Sequence, residues 1–109
     1  MDLRPRQLKK YVTDKDRCPF DEWLSSLKDK RTKAIIATRL NRLVQGNFGL
    51  CRQLGPELWE LKIDFGPGFR VYFGEDGGTI VVLLTGGDKS TQTSDIEKAK
   101  KYWSYYKEG

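Results

Sequence analysis

Glu60, Lys62, Arg70 and Tyr72 are the residues of this sequence whose types and spacing can do chemistry together. The runs ELWELKIDF and FRVYF alternate apolar with polar residues and flank a Gly66-Pro67-Gly68 turn, so they read as paired strands. Trp59, Leu61, Ile63 and Phe65 fall on one face with Phe69, Val71 and Phe73. Glu60, Lys62, Arg70 and Tyr72 fall on the other, polar face. Neighbouring strands lie ~4.8 Å apart and alternate residues along a strand about 7 Å apart, so these side chains can converge on one phosphate and its flanking riboses. The same spacing also suits a plain cross-strand ion pair of Glu60 with Arg70 on a solvated sheet face.

A second element adds to that face. The apolar run TIVVLLT leads into Gly86-Gly87-Asp88-Lys89. Where a buried strand ends in glycines and opens toward a helix, backbone N–H groups such as that of Gly87 can cradle an anion, with Lys89 adding charge. A plain connection carrying a solvated lysine fits the residues equally well. In the last helical segment Ile96, Ala99, Trp103 and Tyr106 form an apolar stripe. Tyr102 and Tyr105 lie off it and are the aromatic candidates for stacking on bases.

What the sequence lacks narrows the chemistry. There is no histidine, which excludes imidazole proton transfer and removes the commonest transition-metal ligand. Cys18 and Cys51 are too few for a disulfide scaffold, too scattered for a zinc site, and suit a reducing cytosol. Asp64, Asp76 and Asp88 sit in separate turns or on a strand face without ligand spacing, so neither a metal nor another cofactor is expected. The opening MDLRPRQLKKYV has no apolar leader core, and no run approaches the ~20 apolar residues of a membrane span. A cytoplasmic chain without a membrane partner is expected. Its 20 Lys and Arg against 15 Asp and Glu give a net charge of +5, which suits a nucleic acid or an acidic protein.

The elements that position these residues follow from periodicity. A first strand is expected over residues 7–13. A helix opens at Pro19, with Phe20, Trp23, Leu24 and Leu27 at helical spacing. A second runs from about Thr32 to Gln45, with Ile36, Leu40, Leu43 and Val44 on one stripe and Gly46 ending it. A short strand over 51–54 turns at Gly55-Pro56, and a hairpin turn occupies Glu75 to Gly78. Residues 79–85 are apolar almost throughout and should form a central strand covered on both faces. The last helix starts near Thr93 or Ser94. The 109 residues thus read as one α+β domain, with helices packed on a twisted, mainly antiparallel sheet.

The segments ELWELKIDFGPGFRVYF and GGDKSTQTSDIEKAKKYW, in that order and spacing, resemble the addiction-module killer proteins, a branch of the RelE/HigB-like toxins of type II toxin–antitoxin systems. The resemblance covers essentially the whole chain. It implies a RelE-like microbial ribonuclease-type fold and ribosome-dependent cleavage of mRNA. It also implies an antitoxin partner encoded alongside, expected to be a small helix-turn-helix protein. By the same resemblance Arg70 matches the arginine that holds the scissile phosphate, and Lys62 a strand lysine that stabilises charge there. Lys89 stands near a further family arginine. Glu60 occupies the place of a lysine general base, and Asp95-Ile96 the region of a family tyrosine, so base and acid are not carried over with the clamp.

The reaction so implied needs no metal. The ribose 2′-OH attacks its own phosphate, leaving a 2′,3′-cyclic phosphate and a free 5′-OH, and requires a base, a stabiliser of the phosphorane and an acid. Glu60 is the candidate base, Arg70 and Lys62 the stabilisers, and Lys89 or Tyr72 the acid. Gly87, Tyr72 and Tyr102 are the candidate substrate contacts. Two rivals remain open, a non-catalytic RNA- or protein-binding module and a metal-dependent nuclease built on the aspartates.

Overall fold

The computed structural model describes residues 5–109. Residues 1–4, part of the stretch read as having no leader, lie outside them. The chain runs β1 (Gln7–Lys10), α1 (Pro19–Ser26), α2 (Lys30–Val44), β2 (Cys51–Gly55), β3 (Leu58–Ile63), β4 (Phe69–Asp76), β5 (Ile80–Gly87), a 3-10 turn (Lys89–Thr91) and α3 (Gln92–Glu108).

Each helix starts where the sequence supplies a reason. Pro19 opens α1, with Asp21 and Glu22 in its first turn, where a carboxylate meets the positive end of the helix dipole. Asp29 caps α2 by accepting the Arg31 N–H at 3.0 Å. That helix ends at Gly46, whose φ of 92° suits a residue without a Cβ. The 3-10 turn brings the last helix in at Gln92, slightly before the expected Thr93 or Ser94.

The sheet order is β1-β5-β4-β3-β2. The β2·β3, β3·β4 and β4·β5 pairs are antiparallel, as short turns dictate. β1 instead lies parallel to β5, with Gln7 opposite Ile80 and Lys10 opposite Leu83. It is shorter than the expected 7–13 strand and exposed along its length. β5 is paired on both sides and buried almost throughout, as its composition predicts.

Both faces of the sheet are covered. Phe20 of α1 and Ile36, Leu40 and Leu43 of α2 pack on Leu61, Ile63, Phe69, Val71, Phe73, Val81 and Leu83. On the other face Ala99 and Trp103 of α3 pack with Tyr11, Leu58, Tyr72, Val82 and Leu84. The strand face expected to be polar and open is therefore half core. The Trp103 ring lies so close to Gly74 that a Cβ there would sit 2.3 Å from it, and the Trp23 ring crowds Gly86 in the same way at 2.2 Å. The residues bearing on chemistry lie on the α3-covered face.

Candidate functional site

The antiparallel register of β3 and β4 sets Glu60 opposite Tyr72 and Lys62 opposite Arg70. β5 adds Gly87 opposite Arg70 and Thr85 opposite Tyr72. A register shift leaves Leu84 unmatched between Thr85 and Leu83; an extra residue of this kind re-aims the side chains beyond it in the strand. The expected set is thus brought onto one sheet face, with Arg70 at its centre.

Arg70 is only 6% exposed. Its Nη1 donates to the Gly68 carbonyl at 2.6 Å. Its Nε lies 4.0 Å from Glu60 Oε2, too far to bond, and is buried with no hydrogen-bond partner. Gly68 has φ 79°, and a Cβ there would approach Arg70 Nη1 to 3.3 Å and Lys89 Cβ to 3.9 Å. The GPG turn and the loop after β5 therefore meet over the guanidinium. Lys62 and Lys89 are exposed beside it, and neither is in an ion pair among the described residues.

Glu60 is not on an open face. It is 4% exposed, with Oε1 3.4 Å from Arg52 Nη2 and Oε2 accepting from Gln92 Nε2 at 2.9 Å. Tyr72 has no exposed surface, and its hydroxyl lacks a hydrogen-bond partner. Burial first, then the neighbouring Glu60 carboxylate, pushes the Tyr72 phenol above its ordinary pKa. The expected solvated polar face is corrected accordingly. α3 closes over Glu60 and Tyr72, and only the lysines reach solvent freely.

The glycine loop, open between an anion cradle and a plain connection, is closed from within. Asp88 accepts from the Ser90 backbone N–H at 2.8 Å and from the Ser90 hydroxyl at 2.6 Å, so the anion held by this turn is the chain's own. Those bonds, the Ser90 hydroxyl's foremost, hold the Asp88 carboxyl below its usual range, and Arg70 contributes. Gly87 is buried against Asp95, whose Oδ2 a Cβ at Gly87 would meet at 1.8 Å. Asp95 in turn accepts from the Thr91 hydroxyl. Gly87 thus admits the α3 carboxylate to the sheet.

Residues 22–104 match the family described as phage derived protein Gp49-like (DUF891). A Haemophilus influenzae protein, described only as uncharacterized, is 52% identical over 81 residues, covering 74% of this chain and 82% of that protein. The chain belongs to the Gp49-like family. This is a toxin–antitoxin toxin-like family of the RelE/HigB kind.

In this Gp49-like protein Tyr102 lies away from Arg70. It is half-buried and stacks on Tyr11 at 5.3 Å. It lines a cleft of about 540 Å³ between α1 and α3 with Trp23, Lys98 and Gly87. Ten residues separate it from Gln92, roughly 15 Å of helix. Tyr105 is 50% exposed. Among the described residues no group of three His, Cys, Asp or Glu could hold a metal ion, and no helix is long and apolar enough to cross a membrane. Arg52, Gln92, Thr91 and Asp95 of the Gp49-like site carried no role in the sequence reading. Gln92 and Asp95 do lie within the GGDKSTQTSDI segment that carries the resemblance, and that segment was their signal.

Proposed function

We propose that this protein is the toxin of a type II toxin–antitoxin system, a cytoplasmic, RelE-like endoribonuclease that cuts mRNA on the ribosome and is held in check by an antitoxin. The observation that carries this reading is the Arg70 guanidinium, buried, anchored through Nη1 and unpartnered at Nε, with Lys62 and Lys89 free on either side. Such a charge-assisted fork flanked by point charges suits a phosphate whose charge rises in the transition state. Family membership supports the toxin class.

In the proposed reaction the 2′-oxygen attacks phosphorus, its proton passes to Glu60, and the P–O5′ bond breaks. Arg70 and Lys62 stabilise the phosphorane, and Lys89 supplies the proton to the leaving 5′-oxygen. Tyr72, enclosed opposite Glu60, walls the carboxylate off from solvent. Because Glu60 is only 4% exposed and Gln92 donates to it from α3, the N-terminal turn of α3 has to yield before RNA can reach the carboxylate. Much of the acceleration then comes from the ribosome bending the RNA into line.

Inducing the protein without a partner is expected to arrest growth, with new mRNA 5′ ends that carry a free hydroxyl, the product of 2′-OH attack. Arg70→Ala is expected to abolish both while the protein keeps its circular dichroism. Arg70→Lys should recover little, since an ammonium lacks the planar fork. Arrest by Arg70→Ala at the parental level would refute the site. Arrest without new 5′ ends would favour a non-cleaving binding module, a reading that the enclosure of Glu60 and Tyr72 also suits.

A further inference from the structure

We propose that the outward face of α2 is a second RNA-binding surface, one that grips the phosphate backbone of structured RNA while Arg70 works on the opposite side of the sheet. Residues 28–45 hold six of the chain's 20 Lys and Arg and one of its 15 Asp and Glu. Their net charge of +5 therefore equals that of the whole chain, and everything outside them balances to zero. The basic character is a property of one segment.

That segment faces away from the candidate site. Ile36, Leu40 and Leu43 bury α2 against the sheet face of Leu61, Val71 and Phe73, whereas Glu60, Arg70 and Tyr72 point to the α3 side. Outside, Lys28, Lys30, Arg31 and Arg42 are exposed and Lys33 and Arg39 half-buried. None of the six is in an ion pair among the described residues. The segment's one acid, Asp29, is spent on its own helix, accepting from the Arg31 N–H and the Thr32 hydroxyl.

Folding alone does not account for this arrangement. The first turn of α2 carries Lys30, Arg31 and Lys33 with no acid beyond its cap, Asp29, and the cations spread over the solvent side of the helix with no carboxylate among them to offset their repulsion. α1 and α3 instead have Asp21, Glu22 and Asp95 in their first turns. A local electrostatic cost that the other helices avoid points to an external polyanion. Arg31 to Arg42 span about 16 Å of helix, long enough to meet several phosphates. An acidic protein would need apolar anchors as well, but the large exposed hydrophobic residues, Leu8, Val12, Leu50 and Tyr105, all lie off α2. Between the cations stand exposed Ala34, Thr38 and Asn41. Duplex RNA, met through phosphates and riboses, fits that face.

The inference extends the ribosome-dependent reading above but is tested apart from it, by anisotropy of a fluorescein-labelled RNA duplex of about 20 base pairs. Lys30→Glu/Arg42→Glu is expected to weaken duplex binding at least about tenfold near 0.1 M salt and to lower the salt slope by about two. Lys100→Glu/Lys101→Glu on α3, with the same change of net charge, should change it less than about threefold. Should the α2 variant fold poorly by circular dichroism, Lys30→Gln/Arg42→Gln replaces it, with a similar loss of slope and a smaller loss of affinity expected. Equal losses in the two pairs would reduce the effect to net charge and overturn the proposal. An unchanged duplex affinity with lost binding of poly-L-glutamate would also overturn it and make α2 a protein-docking face. Cleavage is not read in this assay, so a failure of the cleavage reading leaves this result standing.

Discussion

The side-chain amide of Gln92, the first residue of α3, donates to Glu60 Oε2 at 2.9 Å on the sheet beneath it. One hydrogen bond thus ties the proposed base on β3 to the helix that roofs it. The carboxylate faces Arg52 at 3.4 Å and Arg70 Nε at 4.0 Å on its other sides.

This arrangement separates two roles for Glu60. As the base it should lose about 10²-fold in single-turnover cleavage on programmed ribosomes when changed to Gln, with ribosome binding kept. Gln92→Ala, which frees Oε2, should leave the rate at or above the parental value. A Glu60→Gln protein cutting at the parental rate removes Glu60 from the reaction and leaves it holding the arginines in place.

Tyr72 offers a test by pH. Its phenol is raised in the folded state by burial and by Glu60, so folding favours the protonated form. That contribution is complete below the unfolded-state value of ~10 and is lost as pH rises toward the folded one. Tyr72→Phe should cost less than about 1 kcal/mol at pH 7, because the buried hydroxyl has no partner to lose. Urea unfolding above about pH 10 should then fall less steeply than in the parent, while Tyr11 and Tyr106, also raised, keep their share. Identical alkaline slopes would place the Tyr72 hydroxyl in a solvated environment.

Two glycines are predicted to be steric requirements. Gly74→Ala and Gly86→Ala drive a methyl into the Trp103 and Trp23 rings, and overpacking of this kind costs about 1–3 kcal/mol. Gly55→Ala, with nothing within 4 Å of the added atom, serves as the control and should shift Tm by no more than a degree or so. Equal melting of all three proteins would contradict the close ring contacts.

Cys51 should be chemically silent. Burial pushes its thiol up to about 12, and its Sγ is 2.9 Å from the Phe48 carbonyl. Iodoacetamide at pH 8 is expected to modify it only in denaturant, because the thiolate is the reactive form. Rapid labelling of Cys51 in the native protein would mean that the 48–51 segment opens readily.

Most elements were legible because their signals are local. Pro19, Gly46, the GPG turn and the alternation through β3 and β4 each depend on neighbours along the chain. The convergence of Glu60, Lys62, Arg70 and Tyr72 came from register alone. Long-range placement was not legible. Alternation shows that two faces differ but not that α3 lies over one of them, so Glu60 and Tyr72 were expected in solvent. Gln92 and Arg52 became partners of Glu60 only once α3 and β2 were in place. The glycine loop stayed open between an anion cradle and a plain connection, because nothing along the chain shows that Asp88 closes it from within. The parallel pairing of β1 with β5 has no signature in either run.

That pairing has a consequence for assembly of the chain. β1 is short, exposed, and bears Lys9 and Lys10, features that keep a sheet margin from recruiting another chain. Its inner side covers β5, the most apolar strand, which would otherwise present a sticky border. The β3–β4–β5 meander can form from nearby turns, whereas β1 must close a loop spanning most of the chain, a slow step. In the interval the proposed cutting strands exist with an uncovered edge, and a strand made before them is the last to seal it.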